Sequence, residues 1–390
     1  MRRAAVLFLI AACASPTSSV QQGLSTQTKH DRYTLIRDTA AQMGVYNGPL
    51  LAGIAISETG LAHCNSEVTY GCPGPASPSC GGAPILAGGA DGPCSATQGG
   101  LGMFQFDAGT YADTVATYGP DILTIEGNGA QAVWFVIDKV EQDVPNQTTW
   151  LDAAGWMNGV PLSASDATMN QWAALLACRY NGCCSATSLC TTRANGYRDN
   201  ALTAYSDMGA DFWNAVGCHA LPADGVIAVR SACYVAGGDP RYWHHDSPEW
   251  TKSTTAPAPA NFGEWIVKVP RAGRYHVDVD LEGGASKQAS YVVVHGGATD
   301  PVAVDQTSAT GYVSLGDFDF TGMGDEHVLL GDNTGEDGLM LAFTSVRVES
   351  LDAPPPSTSG CGCQARGGGA AAAGMAFVLF ALVKPRKRRR

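Results

Sequence analysis

The period of the apolar residues changes once along this chain, near Gly217, and that change limits the fold more than any other feature. Before it, apolar residues recur every three or four positions, as in Tyr33, Ile36, Ala40 and Met43 or Ala132, Phe135, Val136 and Val140, which marks one face of a helix. After it, the stretches 264–269, 274–280, 290–295, 302–305 and 346–348 show strand-like alternation between Gly, Pro and Asp turns, the pattern of a β-sandwich. With 390 residues and 45% apolar content the chain can bury two ordinary cores. The expected architecture is therefore multidomain: a mainly α domain over 31–216, then an all-β sandwich over 217–350.

Both ends read as processing segments. Residues 1–13 hold Arg2 and Arg3, then a short apolar run ending in small residues, which is an export signal and too short for a membrane span. Ile10-Ala-Ala-Cys13 resembles a bacterial lipobox, so Cys13 is either an acylated N-terminus or part of a conventional cleavage site. Residues 14–30, rich in Ser, Thr and Gln, read as a flexible spacer. At the other end, 351–390 carries a Pro-rich linker, Cys361-Gly-Cys363, an apolar stretch over 367–383 and a basic cluster from Lys384 to Arg390. This resembles the C-terminal sorting tail of myxobacterial surface proteins, which implies a sorting protease as partner; a permanent single-pass anchor is the alternative. Either reading places the body outside the cytoplasm, at the cell envelope or surface, held through its terminal segments.

Charge excludes one class of partner. Removing the nine basic residues of the ends leaves 15 basic against 36 acidic residues, a net charge of −21. Nucleic-acid binding needs clustered Lys and Arg, so no nucleic acid is expected. Ten of the thirteen cysteines lie outside the processing segments, and an even number in an exported chain predicts five disulfides. Cys64, Cys72, Cys80 and Cys94 fall in a Gly/Pro/Ser-rich insert, Cys178, Cys183, Cys184 and Cys190 bracket a Tyr-Asn-Gly turn, and Cys218 and Cys233 stand near the domain boundary. No Cys-x-x-Cys pair occurs among them, and Gly331-Asp-Asn-Thr-Gly-Glu-Asp-Gly338 lacks EF-hand spacing, so no metal and no cofactor is expected.

The chemistry centres on Ile54-Ala-Ile-Ser-Glu-Thr-Gly60. Leu50, Leu51, Ile54 and Ala55 share a helix face with Glu58, just before Gly60 ends the helix. A carboxyl aimed inward there has its pKa raised by desolvation, as a general acid near neutral pH requires. Ser57-Glu-Thr-Gly60, Gly99-Gly-Leu-Gly-Met-Phe-Gln105, Arg179-Tyr-Asn-Gly182 and a Tyr-containing helix from Gly196 to Met208 resemble, in that order, the soluble lytic transglycosylases and goose-type lysozymes. Glu126-Gly-Asn-Gly-Ala130 resembles part of the Asn-containing turn that opens a helix in the same family. The resemblance implies a lysozyme-like fold and cleavage of the β-1,4 bond after N-acetylmuramic acid in peptidoglycan glycan strands. It implies Glu58 as the catalytic acid, Thr59 and Gln105 as hydrogen-bonding sugar ligands, Tyr180 as the residue positioning Glu58, and Asn181 as part of the cleft. Ser is commoner where Thr59 stands, and Phe104 replaces a usual small or apolar residue. A chitinase or chitosanase on the same fold, and a non-catalytic polysaccharide-binding surface protein, are the rival readings.

Glycosidases of the usual kind need a second carboxylate. Glu67, Asp107 and Asp113 are the nearest in sequence, and no spacing turns any of them toward Glu58. A single Glu suffices if the substrate supplies the nucleophile. In the second half, 270–275, 291–295, 304–306, 315–316 and 327–331 resemble golvesin-type C-terminal domains, which implies a sandwich with Tyr275 and the Val304-Asp-Gln306 run near its core. Arg241-Tyr-Trp-His-His-Asp246 reads as a structured connector, and Trp134, Trp156 and Trp172 as core residues.

Overall fold

The computed structural model describes residues 24–63, 100–108, 111–308 and 310–352; the export signal, the insert with Glu67 and four of the cysteines, and the C-terminal tail lie outside the described residues. The helical half runs α1 (Thr26–Gln42), α2 (Gly48–Thr59), α3 (Tyr111–Tyr118), α4 (Ile125–Asp143), α5 (Trp150–Asn158), α6 (Ala167–Asn181), α7 (Ser188–Met208) and α8 (Ala210–Trp213). Helix α2 is its axis. Gly48 through Ala55 and Thr59 are all buried, so most of α2 is enclosed on every side, and only Ile56, Ser57 and Glu58 in its last turn are partly open. Pro49 opens it, and Gly60, at φ +65°, ends it in the left-handed conformation.

Helix α1 begins earlier than expected and takes the end of the spacer. The extra turn buries little; the Ser25 hydroxyl caps it by accepting from the Thr28 N–H at 3.0 Å, and Gln27 bonds Asp31 at 2.7 Å. Thr124, Thr149, Asp166 and Thr187 cap α4 to α7 in the same way. Helix α5 was not anticipated: it buries only Ala153, Ala154 and Met157, too narrow a stripe to show as periodicity.

The second half is all antiparallel β. One sheet has the order β1 (Val226–Ile227), β11 (Val346–Ser350), β5 (Gly273–Leu281), β8 (Gly311–Phe320). The other has β2 (Tyr234–Gly238), β4 (Asn261–Ile266), β9 (His327–Gly331), β6 (Ala289–His295), β7 (Ala298–Val304), and β3 (Glu249–Lys252) pairs with β10 (Met340–Phe343). Val277, Val279, Val346 and Val348 from the first sheet and Trp265, Tyr291, Val293 and Leu330 from the second share one buried core. Tyr275, Val304 and Gln306 are buried as well. Strand β8 carries a bulge: Val277 pairs with Gly316 and Asp278 with Ser314, which leaves Leu315 unpaired. The Gly331–Gly338 stretch is a turn in which the Asp332 carboxylate accepts from the N–H groups of Ala260 and Asn261.

Each half has its own core. They meet through a short 3-10 turn, Pro240–Tyr242, whose Arg241 donates to the Thr117 carbonyl at 2.7 Å, and through the edge-on contact of Trp150 with Phe262 at 6.4 Å. The disulfides Cys178–Cys184, Cys183–Cys190 and Cys218–Cys233 join six of the ten cysteines expected to pair, as an oxidising compartment allows. Among the described residues no helix is long and apolar enough to cross a membrane.

Candidate active site

Two helices crossing at a glycine set the geometry around Glu58. A Cβ on Gly53 would come within 2.7 Å of the Ala201 backbone nitrogen, so only glycine lets α2 and α7 approach this closely. One turn along, Asn200 donates to the Ser57 hydroxyl at 2.9 Å. A further turn along, the Tyr197 hydroxyl donates to Glu58 Oε1 at 2.5 Å. Asn181 Nδ2 donates to the same Tyr197 oxygen at 2.5 Å, and Arg193 donates to Asn181 Oδ1. A guanidinium is thus linked through an amide and a phenol to one carboxylate oxygen. The Cys178–Cys184 and Cys183–Cys190 bridges hold the end of α6 to the start of α7, the segment from which Asn181, Arg193 and Tyr197 reach the site.

Glu58 is only partly buried, so it is desolvated yet reachable. Burial raises its pKa above the ordinary 4.5, against the lowering effects of the Tyr197 and Asn181 hydrogen bonds and the Arg193 charge. Burial also drives the Tyr197 phenol far above its usual range, with the Glu58 charge adding to it, so Tyr197 remains a donor. Among the described residues no carboxylate acts on Glu58. Asp107 and Asp113 are exposed, and Glu67 lies outside the described residues.

The glycine-rich motif is a tight turn facing the end of α2. Leu101 and Phe106 exchange both backbone hydrogen bonds, at 2.8 and 3.1 Å, around a reversal in which Gly102 and Gln105 have φ of +75° and +55°. Asn128, fully buried in α4, clamps it by accepting from the Phe104 N–H at 2.9 Å and donating to the Leu101 and Ile122 carbonyls at 3.0 and 3.2 Å. Gly102 makes room for that clamp, since a Cβ there would lie 2.1 Å from Asn128 Nδ2.

The expected site residues gather here, with the parts redistributed. Thr59 is 3% exposed and its hydroxyl lies 3.0 Å from the Met103 carbonyl and 3.2 Å from that of Ala55, so it ties α2 to the turn and is not presented to a sugar. Tyr180 does not position Glu58: its hydroxyl donates to the Phe104 carbonyl, and its ring packs edge-on to Phe135 at 5.2 Å. The positioning contact belongs to Tyr197, and Asn181 supports it instead of only lining the cleft. Gln105 sits at the strained corner of the turn, its side-chain amide 2.9 Å from the Gly102 carbonyl. Sequence reasoning missed Arg193 and the role of Tyr197; their i, i+4 spacing with Ala201 on one face of α7 was the available signal. Trp172 is fully buried, and Trp134 and Trp156 pack against the same core.

Residues 246–350 match the Golvesin C-terminal domain family, which covers the sandwich from just before β3 to the end of β11. No curated protein matches this chain. A solved structure of a Paenibacillus xanthan lyase is similar over 33% of this chain and 13% of its own, at 14% identity and a TM-score of 0.28, so this chain spans a small part of that lyase.

Proposed function

We propose that this is an exported peptidoglycan-cleaving enzyme, a lytic transglycosylase or muramidase, in which Glu58 is both acid and base. One observation carries the reading: a half-buried carboxyl, raised in pKa, held by a phenol donor beside a clamped glycine-rich turn, with no second carboxylate among the described residues acting on it. Such a group holds its proton to higher pH than an ordinary carboxyl and can give it to a leaving oxygen. Glu58 protonates the glycosidic oxygen as the C1–O bond breaks. As a carboxylate it then takes the proton from the muramic acid 6-hydroxyl, whose oxygen bonds to C1. Atoms balance without water, and Glu58 ends protonated. Tyr197 holds the carboxylate during the interval in which it is charged.

The three disulfides and the golvesin-type domain agree with an exported protein. Attachment through residues 1–13 or the 351–390 tail belongs to the same proposal. Mass spectrometry of the mature protein should show a C-terminus close to Cys361; recovery through Arg390 would leave a simple membrane anchor.

Digestion of isolated peptidoglycan tests the chemistry. The expected result is loss of turbidity and 1,6-anhydro ends, lighter than hydrolytic ends by one water. Reducing ends alone, with inactivation by Asp107→Asn or Glu67→Gln, would make the enzyme a hydrolase with a second carboxylate. Cleavage of chitin with peptidoglycan intact would move the substrate assignment, and binding without turnover would leave a polysaccharide-binding module.

A further inference from the structure

Outside its two ends the chain carries 15 basic against 36 acidic residues, so its field as a whole repels a polyanion, and an anion that binds must be met by a cation held locally. Most of the guanidinium groups are already taken. Arg37, Arg179, Arg198, Arg230, Arg241 and Arg347 each pair with a carboxylate. Arg193 does not. It is exposed, no carboxylate among the described residues bonds it, and its side-chain hydrogen bond goes from Nη1 to the neutral amide oxygen of Asn181. Arg193 and Tyr197 stand four residues apart on one face of α7, with about 5–6 Å between Cβ atoms at that spacing, so this guanidinium lies one turn from the phenol that holds Glu58. The Asn181 bond fixes one corner of its fork, and the Cys183–Cys190 bridge anchors the start of α7 one turn earlier. A guanidinium presents its N–H donors in one plane; with one taken by Asn181, the exposed remainder suits the two oxygens of a carboxylate.

Peptidoglycan supplies such a group beside the bond to be cut. The N-acetylmuramic acid ring that reacts at C1 carries on C3 a lactyl arm, which ends in a carboxylate or is extended by an acidic peptide; N-acetylglucosamine rings, and therefore chitin, carry no such arm. We propose that Arg193 is a specificity-determining residue of the Glu58 site: it binds a carboxylate of the lactyl–peptide arm and so selects peptidoglycan over neutral glycans of the same backbone. This inference rests on the peptidoglycan reading of the site. The contact also links recognition to chemistry. The Arg193 charge lowers the pKa of Glu58, and an anion bound to Arg193 offsets that charge, so Glu58 holds its proton more firmly once the correct strand is in place.

Titration of the intact Glu58→Gln protein with soluble peptidoglycan strands tests the contact without turnover. The strands are used as isolated, with every carboxyl amidated, and with the peptides removed by an amidase so that the lactyl carboxylate is bare. The negative field of the protein by itself favours the amidated strands, so a preference the other way reports a local cation. The protein should bind the isolated strands about tenfold more tightly than the amidated ones, and adding Arg193→Gln should bring that ratio to about one. Arg193→Lys, which keeps the charge and loses the fork, should restore part of it. If Arg193 merely holds Asn181 in place, Arg193→Gln weakens both strands equally, and an unchanged ratio overturns the proposal. A preference kept on the stripped strands assigns the lactyl carboxylate as the partner, and a preference lost there assigns the peptide. With Glu58 intact the same ratio is expected in KM for cleavage. Carboxylate-dependent binding without cleavage overturns the catalytic reading alone; cleavage indifferent to amidation overturns the Arg193 contact alone.

Discussion

Glu58 in the helical half is half-buried and Glu249 in the sandwich half is almost wholly buried, and their pKa values move in opposite directions. Burial is the largest influence on each and raises both. At Glu58 it is opposed by a phenol, an amide and one guanidinium acting from a distance, and it prevails. At Glu249 it is opposed by direct bonds from His245 and Arg230 with their charges, and the pKa falls below 4.5. Glu326 follows Glu249, held down by the N–H groups of Thr321, Gly296 and Gly322 despite burial. A buried carboxylate held by charged partners in direct contact has its pKa lowered and stays an anion. One that is opposed by weaker partners has its pKa raised, and a general acid needs the second kind.

The comparison is broken most severely at Glu58. Glu58→Gln should lower peptidoglycan cleavage at least about a hundredfold while leaving binding intact, as removal of a general acid implies. The same substitution should alter stability with a definite sign. Because the folded pKa of Glu58 is raised, its contribution to stability is fully present below about 4.5 and is lost as pH rises through the folded value. Melting curves should therefore show Glu58→Gln gaining on the native protein between pH 4 and pH 8; an unchanged difference would mean that burial does not govern this group.

Arg230→Met attacks the other member of the pair and should destabilise the fold by about 1–3 kcal/mol by removing a charged partner of a 3% exposed carboxylate, read by chemical denaturation. Activity at Glu58 should not follow it beyond the loss of folded protein. Tyr197→Phe sharpens the comparison: with a lowering influence gone, the pKa of Glu58 rises, so the alkaline limb of the pH–rate profile should move to higher pH while the rate at the optimum falls about tenfold. Arg193→Gln should shift that limb the same way by less, since its charge is the last-ranked influence on Glu58. The smallest effect is expected of Thr59→Val, about 1 kcal/mol of stability from one hydroxyl on two carbonyls, measured by thermal melting.

Much of the scaffold was legible in the sequence because it depends on short-range patterns. The change of period near Gly217 separated helices from strands, the apolar residues around Leu50 to Ala55 marked α2, and Gly60 marked its end. That Glu58 lies near the inward side of the end of α2 followed from helix phase. The extra turn of α1 and the whole of α5 were lost because caps and a narrow small-residue face, not periodicity, specify them. Within the site, Gly102, Gln105 and Asn128 could be picked out as a motif and a turn, but that Asn128 clamps the motif is a contact across more than twenty residues. The Glu58 contact expected of Tyr180 and made by Tyr197 shows the limit most clearly. Both are tyrosines near helix segments of the right kind, and only the crossing of α2 over α7 at Gly53 and Ala201 decides which hydroxyl reaches Glu58. The sequence by itself determined which groups could carry protons; the tertiary structure decided which of them are desolvated, and by how much they are compensated, because a pKa depends on neighbours brought together through space and not along the chain.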